Sequence, residues 1–256
     1  MSAHTVATWT SRSGKHTVTL YATGHRRRIA RFTPARRARL VQSAGTLTHA
    51  SKMPGPCAPS LPAGKGCPTG ARLMSVPGSP CASCYAARLQ VAYPSAGRAW
   101  ERNLEALRAA LADPAAARLW VYALAALLLE DAARLGETRV RWFVSGDLQN
   151  ARHLALVLRV ARLTPALRHR IPTQEQALLK RAMRKGLRTP ANVRFQVSTP
   201  RVDRLTVWPQ ALPGVQVTSV STGAYSCPAS APTVKACGGC DLCWRQDVAT
   251  VTYRLH

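Results

Sequence analysis

Apolar residues recur at intervals of three and four along the middle of the chain, which is the spacing of an amphipathic helix. This pattern predicts helices over residues 98–112 and 114–135, with Pro114 in the first turn of the second one. The same pattern predicts helices over 149–163 and 174–185. Each of these helices has an apolar face that must be buried against another part of the fold.

Short segments rich in β-branched residues lie between and after these helices, and such segments are typical of strands. We expect strands over 140–144, 167–173, 192–198 and 215–221, with a further edge strand over 248–253. Strands that alternate with helices indicate right-handed βαβ units around a parallel sheet. The predicted fold class is therefore α/β, with a partial or complete (βα) barrel-like sheet, and an open sheet remains the alternative.

Composition divides the chain into three segments. Residues 1–50 form a basic segment with nine Lys and Arg and no acidic residue, and residues 51–222 form the α/β core. The core begins with an irregular loop over 52–94, which is rich in Pro, Gly and Cys and is predicted to enclose a bound centre. Residues 223–256 form a Cys-rich C-terminal extension.

The chain is strongly basic, with 36 Lys and Arg against 11 Asp and Glu and a net charge of +25 over 256 residues. Such a charge favours a polyanionic partner, and nucleic acid is the default expectation. The alternative is a solvated basic edge whose arginine content reflects a GC-rich genome. We expect the phosphate contacts in the N-terminal segment, at Arg26, Arg27, Arg28, Arg31, Arg36, Arg37 and Arg39.

No apolar run reaches the ~18 residues that a membrane span requires. The longest candidate covers residues 119–129, and the first residues lack the apolar stretch of a signal peptide. We therefore expect no membrane partner and a cytoplasmic location.

The cysteines fall into two groups of four that are far apart in the sequence. The first group is Cys57, Cys67, Cys81 and Cys84, and the second is Cys227, Cys237, Cys240 and Cys243. A disulfide framework is expected mainly in short secreted chains, so we favour metal binding. Both groups contain the CxxC spacing at which two thiolates converge on one metal centre.

Zinc and iron-sulfur clusters both accept four cysteines, so ligand type does not separate them. The steps of three residues between Cys237, Cys240 and Cys243 are those of [4Fe-4S] ferredoxins. We expect one or two [4Fe-4S] clusters, with zinc as the alternative, and an electron donor as partner if the centres are redox-active. A purely structural role for the cysteines also remains open.

A polar motif, Ser145, Gly146 and Asp147, directly follows a predicted strand. Active groups of α/β folds lie at such strand ends. Gly146 allows a tight turn near a ligand, Ser145 offers a hydroxyl, and Asp147 offers a carboxylate for an amine, a ribose hydroxyl or general-base catalysis. We expect Ser145 and Asp147 to be catalytic and all three residues to bind a cofactor. The alternative is that Asp147 only caps the following helix.

Several other chemistries lack their motifs. The sequence has no Walker glycine loop, no HExxH zinc motif and no GxGxxG dinucleotide motif. The cysteines and the strand-end motif are therefore the main candidates for chemistry.

The order of these motifs resembles the phage and plasmid family known as gene product 88. The resemblance rests on Lys52-Met53-Pro54 with Cys57, on Cys67-Pro68-Thr69-Gly70 and Cys81-Ala82-Ser83-Cys84, on Ser145-Gly146-Asp147, and on the cysteines between residues 227 and 243. It covers about residues 50–245. It implies a mobile-element origin and a cysteine-bound centre, and leaves the reaction open.

A more distant similarity is to radical S-adenosylmethionine enzymes, in which three cysteines hold a [4Fe-4S] cluster with one iron free for the cofactor. This similarity implies a cluster on Cys67, Cys81 and Cys84, a cofactor amino group at the strand end of Asp147, and an auxiliary cluster on the last four cysteines. The usual CxxxCxxC motif is missing, and Cys57 would close the open iron if it were a fourth ligand.

The expected function is therefore a cluster-dependent enzyme of this kind that acts on or near nucleic acid. The alternative is a non-enzymatic nucleic-acid-binding protein whose four-cysteine centres, of iron or zinc, only shape the binding surface.

Overall fold

The computed structural model describes the backbone of residues 4–10 and 17–22 and all atoms of residues 32–205 and 214–255. Its first half contains β1 (His4–Thr10), β2 (Thr17–Ala22), α1 (Pro34–Ala44), α2 (Pro68–Leu73), α3 (Tyr85–Ala92), α4 (Pro94–Ala112) and α5 (Pro114–Leu135). Its second half contains β3 (Arg139–Arg141), α6 (Ala151–Leu163), β4 (Arg168–Thr173), α7 (Gln176–Arg184), β5 (Val193–Ser198), β6 (Val215–Ser221) and β7 (Thr250–Arg254).

Strands β3 to β7 form one parallel sheet in which the spatial order follows the chain order. Strands β1 and β2 form a separate antiparallel pair. A complete (βα) barrel has eight parallel strands in chain order, and these five strands in chain order form a half-barrel. The prediction of an α/β fold with a barrel-like parallel sheet is confirmed in this form, and the expected edge strand is β7.

The long helix α5 coincides with the predicted helix because its ends carry strong local signals. The Asp113 carboxylate accepts a hydrogen bond from the Ala116 N–H at 2.5 Å, and Pro114 fills the first turn. The helix ends at Gly136, whose φ of +67° suits glycine. Helix α5 packs against α1, α4 and α6 and is the centre of the apolar core. Among the described residues, no helix is both long and apolar enough to cross a membrane.

The strand predicted over 140–144 is shorter than expected, because β3 ends at Arg141. Phe143 adopts a φ of +50°, which no strand residue can have. The chain therefore leaves the sheet before it reaches Ser145, and the motif predicted at the strand end lies in the loop beyond it.

The two faces of the sheet differ in character because alternate residues point to opposite sides. One face carries the fully buried Val140, Ile171, Phe195 and Val197, which pack among the core residues of α5 and α6. The opposite face is polar and is covered by the C-terminal segment. There the Gln216 side-chain amide donates to the backbone carbonyls of Leu242 at 3.1 Å and Val248 at 2.8 Å.

Candidate functional site

The N-terminal cysteine loop runs along β3 and past its carboxyl end. The backbone N–H of Ala58 donates to the carbonyl of Arg141 at 2.9 Å, and that of Leu61 donates to the carbonyl of Ser145 at 3.0 Å. Further along, the Asp147 N–H donates to the carbonyl of Gly66 at 2.8 Å. Three backbone contacts therefore fix the loop beside the predicted strand-end motif.

The structure brings Cys67, Cys81 and Cys84 together at this loop. The sulfurs of Cys67 and Cys81 each lie 3.8 Å from the point where a Cβ on Gly70 would stand, so they are within twice that distance of each other. A side chain at position 70 would also come within 2.9 Å of the Cys67 Cβ. Glycine at this position keeps the space beside the sulfurs clear.

The electrostatics of Cys67 and Cys81 also indicate that these thiols lie near Cys84 and Asp147. Burial raises the pKa of Cys67 to about 12 and that of Cys81 to about 11. After burial, the electrostatic interactions with Asp147 and Cys84 also contribute to these two values. The Cys67 and Cys81 thiols stay protonated at neutral pH unless a cation is bound, and a metal centre would be such a cation.

Cys57 lies apart from the other three cysteines of its group. It is fully buried, and its backbone is paired with Thr48 on one side and Arg141 on the other. Burial raises its pKa, and the charged groups that act on it are Arg141, Arg170 and Asp131 rather than another thiol. The first group therefore has three neighbouring cysteines, and the charged neighbours of the fourth are other residues.

The four C-terminal cysteines line one cavity of about 150 Å³. Burial raises the pKa of Cys237, and the other three thiols raise it further. The sulfur of Cys243 lies 3.3 Å from the hydroxyl of Tyr253, and the sulfur of Cys237 lies 3.9 Å from the Met53 sulfur. The cavity is also lined by Lys52, Arg141, Arg170 and Trp244.

As the side chains stand, no three His, Cys, Asp or Glu residues in the described part of the chain converge closely enough to hold a single metal ion. A tetrahedral zinc site requires every sulfur to lie about 2.3 Å from one point.

Asp147 is buried and its carboxylate is fully engaged. One oxygen accepts from the Thr173 hydroxyl at 2.6 Å and from the Leu148 N–H at 2.7 Å, and the other accepts from the Gln174 N–H at 2.7 Å. Burial raises its pKa to about 7, although these hydrogen bonds oppose the shift. The carboxylate thus joins the end of β4 to the loop after β3.

Asp147 does not cap the following helix, so that alternative is wrong. The cap of α6 is Asn150, whose side-chain oxygen accepts from the His153 N–H at 2.9 Å. Asn and Asp cap helices about equally well, and the sequence offered both.

Ser145 and Gly146 contact the cysteine loop. Gly146 has a φ of +90°, and a Cβ there would lie 2.5 Å from the Cβ of Leu61. The residue that Gly146 approaches closely is therefore Leu61 of the cysteine loop. Ser145 is 4% exposed, and its hydroxyl has no hydrogen-bond partner among the described residues.

Glu175 is a site residue that sequence reasoning missed. Its carboxylate accepts from the backbone N–H of Thr69 at 2.6 Å and from the Thr69 hydroxyl at 2.8 Å. Glu175 thereby fastens the segment after Cys67 to the start of α7. An acidic residue just after a predicted strand was the available signal.

The arginines predicted to bind nucleic acid fall into two sets. Arg26, Arg27, Arg28 and Arg31 lie outside the described residues. In α1, the Arg36 guanidinium stacks 4.5 Å over the Phe32 ring, Arg37 forms an ion pair with the buried Glu130, and Arg39 is exposed.

A second basic surface was missed by the sequence reasoning. Residues 176–191 contain no acidic residue, and their basic side chains, Lys180, Arg181, Arg184, Lys185 and Arg188, are all exposed. The acid-free run was the signal that could have identified it.

The family model described as "Gene product 88" matches residues 33–246 of this chain. The match covers most of the sequence, so the chain belongs to this family. No curated protein and no solved structure is similar enough to match the chain.

Proposed function

We propose that this member of the Gene product 88 family is a cytoplasmic iron-sulfur protein of a mobile element. Its activity is that of a cluster-dependent enzyme, similar to radical S-adenosylmethionine enzymes, that acts on or near nucleic acid. The observation that carries the proposal is the grouping of Cys67, Cys81 and Cys84 without Cys57.

Three neighbouring thiols suit a [4Fe-4S] cluster better than a single ion. The cluster spreads its ligands over four irons, whereas a single zinc ion requires every sulfur about 2.3 Å from one point. With Cys57 buried elsewhere, one iron would keep an open position for a cofactor. When bound, such a cluster supplies one electron for the reductive cleavage of S-adenosylmethionine.

The polar groups near the thiols suit the cofactor's amino group. The Ser145 hydroxyl and the side-chain oxygen of Gln174 are buried and have no partner among the residues that the structure describes, and both can accept a hydrogen bond. Asp147 is close enough for its charge to raise the pKa of Cys67 and Cys81. In this role Asp147 orients Thr173 and Gln174 and places negative charge near a cationic ligand.

The C-terminal cysteines are proposed to hold a second [4Fe-4S] cluster. Their cavity of about 150 Å³ supports a group larger than one ion. An electron donor would then be a partner of the protein, and the basic residues of the N-terminal segment and of 176–191 would bind nucleic acid.

The test is anaerobic purification followed by assays of iron, acid-labile sulfide and zinc. We expect a brown protein with more iron than one cluster requires, and formation of 5′-deoxyadenosine after addition of dithionite and S-adenosylmethionine. A colourless protein that holds only zinc would contradict the iron-sulfur proposal. Clusters that never yield 5′-deoxyadenosine would support the non-enzymatic alternative.

A further inference from the structure

Three arginines stand side by side on the sheet face that the C-terminal segment covers. Arg141 of β3 is in register with Arg170 of β4, which is in register with Arg194 of β5. Neighbouring strands are about 4.8 Å apart, and paired residues point to the same face. Three like charges in such a row repel one another unless an anion offsets them.

No carboxylate in the described part of the chain forms an ion pair with this row, and the charge of Asp247 acts on Arg194 only from beyond ion-pair distance. The ion pairs found there involve other arginines and a lysine. The Nε atoms of Arg141, Arg170 and Arg194 are all buried and have no hydrogen-bond partner within residues 32–205 and 214–255. Arg170 is only 6% exposed and stacks 5.3 Å from the Trp244 ring.

Arg194 differs from the other two arginines because its guanidinium binds the C-terminal segment. Its guanidinium donates to the Gln246 side chain at 2.6 Å and to the Val248 carbonyl at 2.7 Å, which fastens the C-terminal segment to the sheet. Arg141 and Arg170 instead line the cavity of the four C-terminal cysteines, together with Lys52. The positive charges on the cavity wall therefore face four thiols.

We propose that the positive charges of Arg141 and Arg170 on the cavity wall stabilise the four C-terminal cysteines as an anionic metal centre. Arg170 is the positioning residue of this centre. The proposal rests on the proposed function, because it requires a metal or cluster at these cysteines. Four thiolates carry more negative charge than a divalent ion or an oxidised [4Fe-4S] core offsets, so the centre is anionic with either metal. Buried cations beside it lower the cost of removing that charge from water.

The experiment starts from a Cys67→Ala, Cys81→Ala, Cys84→Ala parent, in which only the C-terminal centre remains. Arg170→Met, Arg170→Lys and Arg168→Met are introduced into this parent, because Arg168 lies on the same strand but is exposed. Iron and zinc per chain are measured before and after challenge with a chelator, and circular dichroism monitors the fold.

We expect Arg170→Met to weaken metal retention by about 10- to 100-fold, the usual effect of removing a group that supports metal ligands. Arg170→Lys restores most of the retention, and Arg168→Met matches the parent. If the centre contains iron, Arg170→Met also lowers its reduction potential, since loss of a nearby positive charge disfavours the reduced form.

If Arg170→Met retains as much metal as the parent, the inference about Arg170 is overturned, while the proposal of a metal centre at these cysteines stands. Failure of Arg170→Lys to rescue a folded Met variant also overturns it, because charge would then not be the cause. A parent that binds neither iron nor zinc overturns the C-terminal centre itself, and the inference with it.

Discussion

Replacement of Gly146 by alanine tests whether the strand-end loop and the cysteine loop form one unit. Gly146 has a φ of +90°, and the new Cβ would lie 2.5 Å from the Leu61 Cβ and 3.0 Å from the Leu61 backbone nitrogen. Because the contacted atoms belong to or adjoin the backbone, the loop itself must move. That loop carries Cys67.

The matched control is Gly136→Ala at the end of α5. Gly136 also has a positive φ, of +67°, but a Cβ there would meet nothing within 4 Å. The control therefore measures only the left-handed backbone penalty, about 1–2 kcal/mol. Gly146→Ala adds an overpacking cost of about 1–3 kcal/mol, for a total of about 2–5 kcal/mol.

The assay is urea unfolding of the two variants and of the unmodified protein, combined with metal analysis. We expect Gly146→Ala to lower the free energy of unfolding by more than Gly136→Ala and to reduce the metal content of the N-terminal centre. Equal destabilisation by the two variants, with unchanged metal content, would refute the reasoning.

Two further predictions concern charge. Asp147 has a pKa of about 7 in the folded protein against an ordinary value of 3.8, so the stability that its protonation supplies is present below pH 3.8 and is lost as the pH rises toward 7. Urea unfolding at a series of pH values should show this decline in the free energy of unfolding, and Asp147→Asn should make the decline shallower. An equally steep decline in the variant would show that Asp147 is not the group responsible. Nucleic-acid binding should weaken linearly with the logarithm of salt concentration, and Arg181→Gln or Arg184→Gln should each reduce the slope by about 1. The control is Arg245→Gln, because Arg245 is ion-paired with Asp247. If the control reduces the salt slope as much as the α7 variants do, residues 176–191 are not the nucleic-acid-binding surface.

Local signals made much of the fold predictable. The ends of α5 are set by Asp113, Pro114 and Gly136, and those residues act on their immediate neighbours. The alternation of helices and strands then leads to a parallel sheet. The end of β3 was not predictable, because the positive φ of Phe143 is unusual for an aromatic residue and the sequence carries no local signal for it.

The site was predictable in part, for the same physical reason. Sequence spacing brings Cys81 near Cys84 and Cys237 near Cys240, because these pairs are local. The separation of Cys57 depends on its pairing with Arg141, a contact between distant segments. The arginine row depends on strand register, which no single segment determines.

The central claim is that the first cysteine group acts as three ligands, with Cys57 excluded. The most direct test is the iron and sulfide content of the N-terminal centre in Cys57→Ala and Cys84→Ala, each made in a background that lacks the four C-terminal cysteines. We predict that Cys57→Ala keeps its cluster and that Cys84→Ala loses it. Loss of the cluster in a folded Cys57→Ala variant would contradict the claim and make Cys57 a fourth ligand.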